Sequence, residues 1–286
     1  MDTYYATNGL ITQPGEWTNA VFNLPTEIAE LVKVVQGLMV HVHWAGRYGL
    51  SLLPQRMEEL QLRKVALMLQ RIMELDDRPL TEPRALEKRL VGNCRDFSTL
   101  LCSFLRCQGI PARARCGFGT YFTPGQYEDH WVCEYWQDKR WVLVDAQIDE
   151  FQREVLKLDF DTLDVPRDKF IVGGKAWHMC RQKEAEPNDF GILDMGGLWF
   201  IRGNLVRDIA ALNKVELLPW DSWGLVEGQD TDLTSDDIQL LDKLALATMD
   251  SQTDDELVRE LYLDSRLLVP ATIISYTDGG AMEVEL

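Results

Sequence analysis

A cysteine, a histidine and an aspartate, at positions 94, 130 and 145, are the residues of this chain whose types and spacing point to chemistry. Cys94 follows Gly92-Asn93 and opens a run in which Phe97, Leu100, Leu101, Phe104 and Leu105 recur at helical spacing. The run stops at Gln108-Gly109-Ile110-Pro111, a glycine followed by a proline that cannot continue a helix. The N-terminus of a helix carries roughly half a positive charge, which favours a thiolate, and the thiolate is the nucleophile. Of the four histidines (41, 43, 130 and 178), His130 opens the strand-like run His130–Trp136. Asp145 closes the next one, after Arg140–Val144. Gln137-Asp138-Lys139 between them reads as a tight hairpin turn. A hairpin centred on Asp138 sets His130 and Asp145 within one residue of facing each other, where a carboxylate fixes the tautomer of an imidazole. The helix from Cys94 is the natural cover for that sheet. The expected constellation is a Cys-His-Asp triad, with Cys94 as nucleophile, His130 as base and Asp145 as orienting carboxylate.

The elements around these residues follow from period and punctuation. Residues 1–24 read as polar and irregular, with turns at Asn8-Gly9 and Pro14-Gly15. Thr26 is a candidate cap for a helix carrying Ile28, Leu31, Val32, Val35, Leu38 and Met39 on one face. A second helix fits Gln55–Leu75, and residues 76–89, with Pro79 and Pro83, read as a surface connection. After the helix at Cys94 come strands at Ala112–Phe118, His130–Trp136 and Arg140–Val144, an antiparallel meander. A helix followed by a meander is an α+β pattern. Further on, Asn204–Leu212 reads as helix, as do Ser235–Ala247 and Thr253–Tyr262, with Ser235 and Thr253 as candidate caps. Val269–Ser275 reads as a strand or an arm. The expected organisation is an N-terminal helical extension (1–89), a catalytic core (90–225) and an acidic C-terminal segment (226–286).

Composition narrows the function classes. The chain has 286 residues, 46% of them hydrophobic, enough for a core of its own. Its formal net charge is −17, and residues 226–286 alone carry 15 acidic and 3 basic side chains. Such a surface repels phosphate backbones, so neither nucleic acid nor an anionic membrane is an expected partner. Six cysteines include no CxxC pair. The opening Met1-Asp2-Thr3 is not a signal-peptide start, so a cytoplasmic location with reduced thiols is expected.

The blocks Gly92-Asn93-Cys94-Arg95-Asp96-Phe97, Leu105-Arg106 and Gly109-Ile110-Pro111-Ala112-Arg113 resemble the nucleophile segment of the transglutaminase-like superfamily. Asp129-His130-Trp131-Val132 with Glu134, then Trp141 with Asp145, resemble its His and Asp segments, in the same order. The resemblance covers roughly residues 90–149. It implies a papain-like α+β core and, among family activities, protein cross-linking, peptide hydrolysis, deamidation or deglycosylation. One departure is that Trp131 directly follows His130, whereas many bacterial relatives place an aromatic two residues after the histidine.

The expected function is a cysteine-dependent acyl transfer on a peptide, protein or amide substrate, through an acyl-enzyme and with hydrolysis favoured. The Cys94 backbone N–H would supply one oxyanion donor, and Gln36 and Trp44 are candidates for the second. No cofactor and no metal are expected. His41-Val42-His43 points its two imidazoles apart, and Gly191–Gly203 lacks the Lys-Ser/Thr of a phosphate loop. Two alternatives remain. One is a non-catalytic binding module on the same fold, which has no need of all three triad residues. The other is an amide synthase with a thioester donor, which needs a basic patch for an acidic carrier; Arg113 and Arg115 are the close pair available. The other five cysteines and the tryptophans at 177, 199, 220 and 223 read as core, and His178 as structural. Asp96 reads as a dipole-stabilising acid or a partner of Arg113 or Arg115.

Overall fold

In the computed structural model, residues 3–250, 253–277 and 279–286 are described. Met1 and Asp2, with which the chain opens, lie outside them. The chain divides into two compact units, one of Met1–Ala114 and Val132–Val165, the other of Arg115–Trp131 and Pro166–Leu286. Helices and mixed sheets make the fold α+β, as the order of patterns implies.

The first unit opens with α1 (Thr18–Phe22), α2 (Ile28–Leu38), β1 (Met39–His41), α3 (Val65–Leu75), β2 (Leu90–Gly92) and α4 (Cys94–Cys107). It then holds the start of β3 (Ala112–Gly119), the end of β4 (Tyr127–Gln137), β5 (Arg140–Val144) and α5 (Glu150–Leu156). β1 and β2 pair in parallel, His41 opposite Gly92, so the chain enters α4 from a short ladder. β4 and β5 form an antiparallel hairpin from Gln137↔Arg140 to Cys133↔Val144. Its two-residue turn places Asp138 and Lys139 at φ 48° and 64°. Positive φ at both central residues is the twist that closes a tight hairpin, here without glycine.

Several expectations for this unit change. Residues 1–24 are not simply irregular. They form short helical turns that bury Tyr5, Ile11, Val21 and Leu24. Thr26 does not cap α2; its N-cap is Glu27, with no side-chain cap bond. The single helix expected over Gln55–Leu75 is two pieces, a 3-10 segment over Pro54–Gln61 and then α3. The break serves buried Glu59, whose carboxylate accepts from Arg56 Nε (2.6 Å), Arg71 Nε (3.0 Å) and the Val91 N–H (2.8 Å). At the entry to α3, the Val65 N–H donates to the Ile11 carbonyl at 2.9 Å. Nor is residues 76–89 wholly surface. Arg84 is buried and donates to the carbonyls of Asp76, Arg78, Pro79 and Glu82, folding the proline-containing loop around its guanidinium.

The second unit holds the rest of β3 and β4, then β6 (Phe170–Val172), α6 (Gly173–Arg181), β7 (Phe190–Ile192), β8 (Met195–Gly196) and α7 (Leu198–Leu212). β9 (Asp221–Ser222), α8 (Ser235–Thr248), α9 (Asp255–Tyr262), β10 (Thr272–Thr277) and β11 (Gly280–Glu285) complete it. β6 pairs antiparallel with β3, Gly117 opposite Val172, and β7 pairs in parallel with β4. The meander is therefore extended by strands that alternation did not reveal, one of them parallel. Gly117 is required where it stands, because a Cβ there would lie 2.2 Å from the Ile171 carbonyl oxygen. β9, β10 and β11 form a separate three-stranded antiparallel sheet, which resolves the strand-or-arm reading of Val269–Ser275.

The caps of the acidic segment shift by one residue. α8 is capped by Thr234 in a capping box with Asp237, and α9 by Asp254. Ser235 is already helical, while Thr253 Oγ1 donates to Asp255 at 2.7 Å. Trp177 is core and donates from Nε1 to Asp242 (2.8 Å), and Trp223 donates to the Leu267 carbonyl (2.9 Å). Trp199 departs from the core reading and is 40% exposed.

Candidate functional site

Cys94 is the first residue of α4, a fourteen-residue helix. It sits there because Asn93 and Asp96 close a capping box. The Asn93 N–H donates to Asp96 Oδ2 (2.9 Å) and the Asp96 N–H to Asn93 Oδ1 (3.3 Å). The other Asp96 oxygen accepts from Arg95 NH1 at 2.8 Å, and both side chains are buried. Burial pushes the Asp96 carboxyl up from its ordinary range, against the pull of Arg95. Asp96 is thus the first-turn acid that was expected, but its ion partner is Arg95 rather than Arg113 or Arg115. Cys94 itself is buried, at 7% exposure.

Arg113 and Arg115 are not a basic surface. Arg113 Nε donates to Glu134 at 2.7 Å and its guanidinium lies over the Trp141 ring at 4.0 Å. Arg115 forms a two-point pair with Asp208 (3.0 and 2.9 Å) and also donates to the Thr248 carbonyl. All four side chains are fully buried. The patch that an acidic carrier would need is absent from these two residues.

Asp145 stands one residue past β5, its N–H bonded to the Thr162 carbonyl (2.9 Å). The turn lies between Asp138 and Lys139 rather than on Asp138, so the expected facing shifts by one step. The ladder of β4 and β5 ends at Cys133↔Val144, so Asp145 lies just beyond its last pair. Asp145 Oδ1 accepts the Gln147 N–H at 3.1 Å.

A polar network that pattern reading did not find holds the chain beyond Asp145. Gln147 Nε2 donates to Gln152 Oε1 (3.2 Å), Gln152 Nε2 to the Tyr48 hydroxyl (3.0 Å), and that hydroxyl to Asp149 (2.7 Å). Burial, then the bond to Asp149, pushes the Tyr48 phenol well above its ordinary value. Gln36 Nε2 donates to the carbonyls of Ala146 (3.3 Å) and Ile148 (3.1 Å). Both amide hydrogens of Gln36 are thereby committed, which removes it as a ready oxyanion donor. Glutamines scattered at 36, 147 and 152 carry no spacing signal, so only the fold reveals them.

His130 lies on β4 and is buried. Its ring meets those of Phe122 (centroids 4.8 Å apart), Tyr121 (5.8 Å) and Phe170 (6.3 Å). Trp131 is buried at 1% exposure. On the preceding residue, Asp129 accepts from Asn204 Nδ2 at 2.7 Å, and burial raises its carboxyl pKa. Among the described residues no group of three or more His, Cys, Asp or Glu side chains is placed to hold a metal ion, and no helix is long and apolar enough to cross a membrane.

Residues 59–146 match the family model of the transglutaminase-like superfamily, and the segment holding Cys94, His130 and Asp145 lies within that match. The match spans under a third of the chain and supports a cysteine-based enzyme in general. No curated protein matches the sequence. Among solved structures it is similar to a "putative cysteine protease" from Cytophaga hutchinsonii, at 16% identity and a TM-score of 0.34. That alignment covers 59% of this chain and 44% of the other, so the chain spans less than half of that protein's length.

Proposed function

We propose that this transglutaminase-like chain is a cysteine-dependent acyl-transfer enzyme acting on a peptide or amide bond, with hydrolysis as its principal outcome. The observation that carries the reading is the position of Cys94, first residue of a capped fourteen-residue helix inside the matched segment. In this reading the Cys94 thiolate attacks the carbonyl carbon and the C–N bond breaks. His130 protonates the leaving amine, then takes a proton from the water that attacks the thioester. Asp145 orients the imidazole, and its own orientation is supported by the Gln147 N–H. The Cys94 backbone N–H, in the first turn of the helix, serves the oxyanion. The burial of Arg113 and Arg115 in ion pairs favours this reading over a synthase that docks an acidic carrier.

The test is iodoacetamide alkylation across pH, with the label located by mass spectrometry, in the wild type and in His130→Ala. The expected result is selective labelling of Cys94 below pH ~7, lost or moved upward in the variant. Burial raises the thiol pKa of Cys107, and of Cys180 to about 11, so these half-exposed cysteines are slow controls. Labelling of Cys94 only above pH ~8.5, unchanged by His130→Ala, refutes the reading. Release of an acyl group to water rather than to an added primary amine then separates hydrolysis from cross-linking.

A further inference from the structure

Two cysteines outside the proposed chemistry lie against each other in the core of the first unit. Cys102, two turns into α4, and Cys133, on β4, have their sulfurs 3.2 Å apart. Both side chains are completely buried. That spacing is shorter than ordinary nonbonded packing, about 3.5–4.0 Å between carbon atoms. It leaves about 1.2 Å to close to a disulfide of ~2.05 Å. At that distance the two sulfurs are in direct contact, and either thiol can donate to the other.

We propose that Cys102 and Cys133 are a redox modification site, a dithiol that closes to a disulfide in the presence of a small oxidant such as hydrogen peroxide. The peroxide oxidises one thiol to a sulfenic acid and leaves as water. The second thiol then displaces the sulfenic oxygen as a further water, so two electrons and two hydrogens leave the pair and one S–S bond forms. The bond ties α4, which begins with Cys94, to β4, the strand that also carries His130. Burial raises the Cys133 thiol well above its ordinary pKa, so closure is slow in the folded state and proceeds through transient opening of the core. The proposal does not depend on the catalytic reading.

The full chain is incubated with hydrogen peroxide, with and without mild urea to open the core. It is quenched with N-ethylmaleimide in denaturant and mapped without reduction. The expected product is a 102–133 cross-linked peptide pair, about 2 Da lighter than the reduced pair and restored by dithiothreitol. Cys102→Ala abolishes it. The closed loop also raises Tm by roughly 5–10 °C over the reduced protein. Six maleimide labels after oxidation in urea, or a disulfide that engages Cys94 instead, overturns the proposal. Sulfenic acid at Cys94 with the 102–133 pair still reduced also overturns it. Loss of the His130 effect on alkylation with the cross-link intact refutes only the catalytic reading.

Discussion

Replacing Asp96 by Asn tests whether the start of α4 is held by a buried charge pair or merely by helix propensity. Asp96 does two jobs: its Oδ2 accepts the Asn93 N–H in the capping box, and its Oδ1 accepts from Arg95. Asparagine keeps the shape and can still accept one of these bonds, but it removes the countercharge of Arg95, whose side chain is 0% exposed. Removing one partner of a buried pair costs roughly 3–5 kcal/mol, because the remaining charge stays desolvated. An N-cap defect alone costs about 0.5–2 kcal/mol. The two ranges do not overlap, so urea denaturation with a constant m-value decides between them. Asp96→Asn is expected to lose about 4 kcal/mol, within the range for a broken buried pair. In the double variant with Arg95→Met the uncompensated charge is gone, so part of that loss is recovered. A loss under about 1 kcal/mol for Asp96→Asn, or a double variant no better than the sum of the singles, refutes the buried-pair account.

Two further outcomes follow from the geometry. Gln36→Ala removes two side-chain bonds to the carbonyls of Ala146 and Ile148. It is expected to cost roughly 1–3 kcal/mol and to speed amide exchange over residues 146–148, measured by hydrogen–deuterium exchange; unchanged exchange there defeats the clasp. In the C-terminal segment, bonds from Thr234 lower the Asp237 pKa and a bond from Arg266 lowers that of Asp264. A depressed folded pKa gives stability that is complete above the unfolded value and lost as pH falls through the folded one. The α8 cap and its Arg266 clamp should therefore loosen below about pH 4, read as earlier exchange of the first-turn amides of α8; protection that grows on acidification contradicts the assignment.

The parts of the candidate site that could be read from the chain are those set by neighbours in sequence. An apolar face at three- and four-residue spacing and the Gly109-Pro111 stop place Cys94 at a helix start, because each acts within a few turns. The β4–β5 hairpin is equally local, though its register slipped one step, since a three-residue window cannot say which two residues make the turn. The segment 55–75 went wrong for the opposite reason. Its period supports one helix, but Glu59 is claimed by Arg71 and the Val91 N–H, distant in sequence, and the helix breaks to let it reach them.

Buried ions were the least legible features. Arg113 and Arg115 read as a basic pair because charge usually means surface. Only folding supplies Glu134 and Asp208 as counterions, the second from a helix 93 positions away in the chain. The strand β7 was invisible because it is three residues long and pairs in parallel, which needs a crossover rather than a hairpin signal.

Composition, local periodicity and turn signals determined, without any coordinates, that this chain is α+β, that a cysteine begins one of its helices and that two of its strands form a hairpin. Short-range hydrogen bonds and side-chain period fix such features, and both are written in consecutive residues. The tertiary structure alone decided which charges are neutralised, which glutamines clasp the chain beyond Asp145, and that Cys102 meets Cys133 across 31 positions. It also decided that β3 and β4 each run from one compact unit into the other. Those outcomes depend on which distant groups must satisfy one another once water is excluded, and chain order does not encode that pairing.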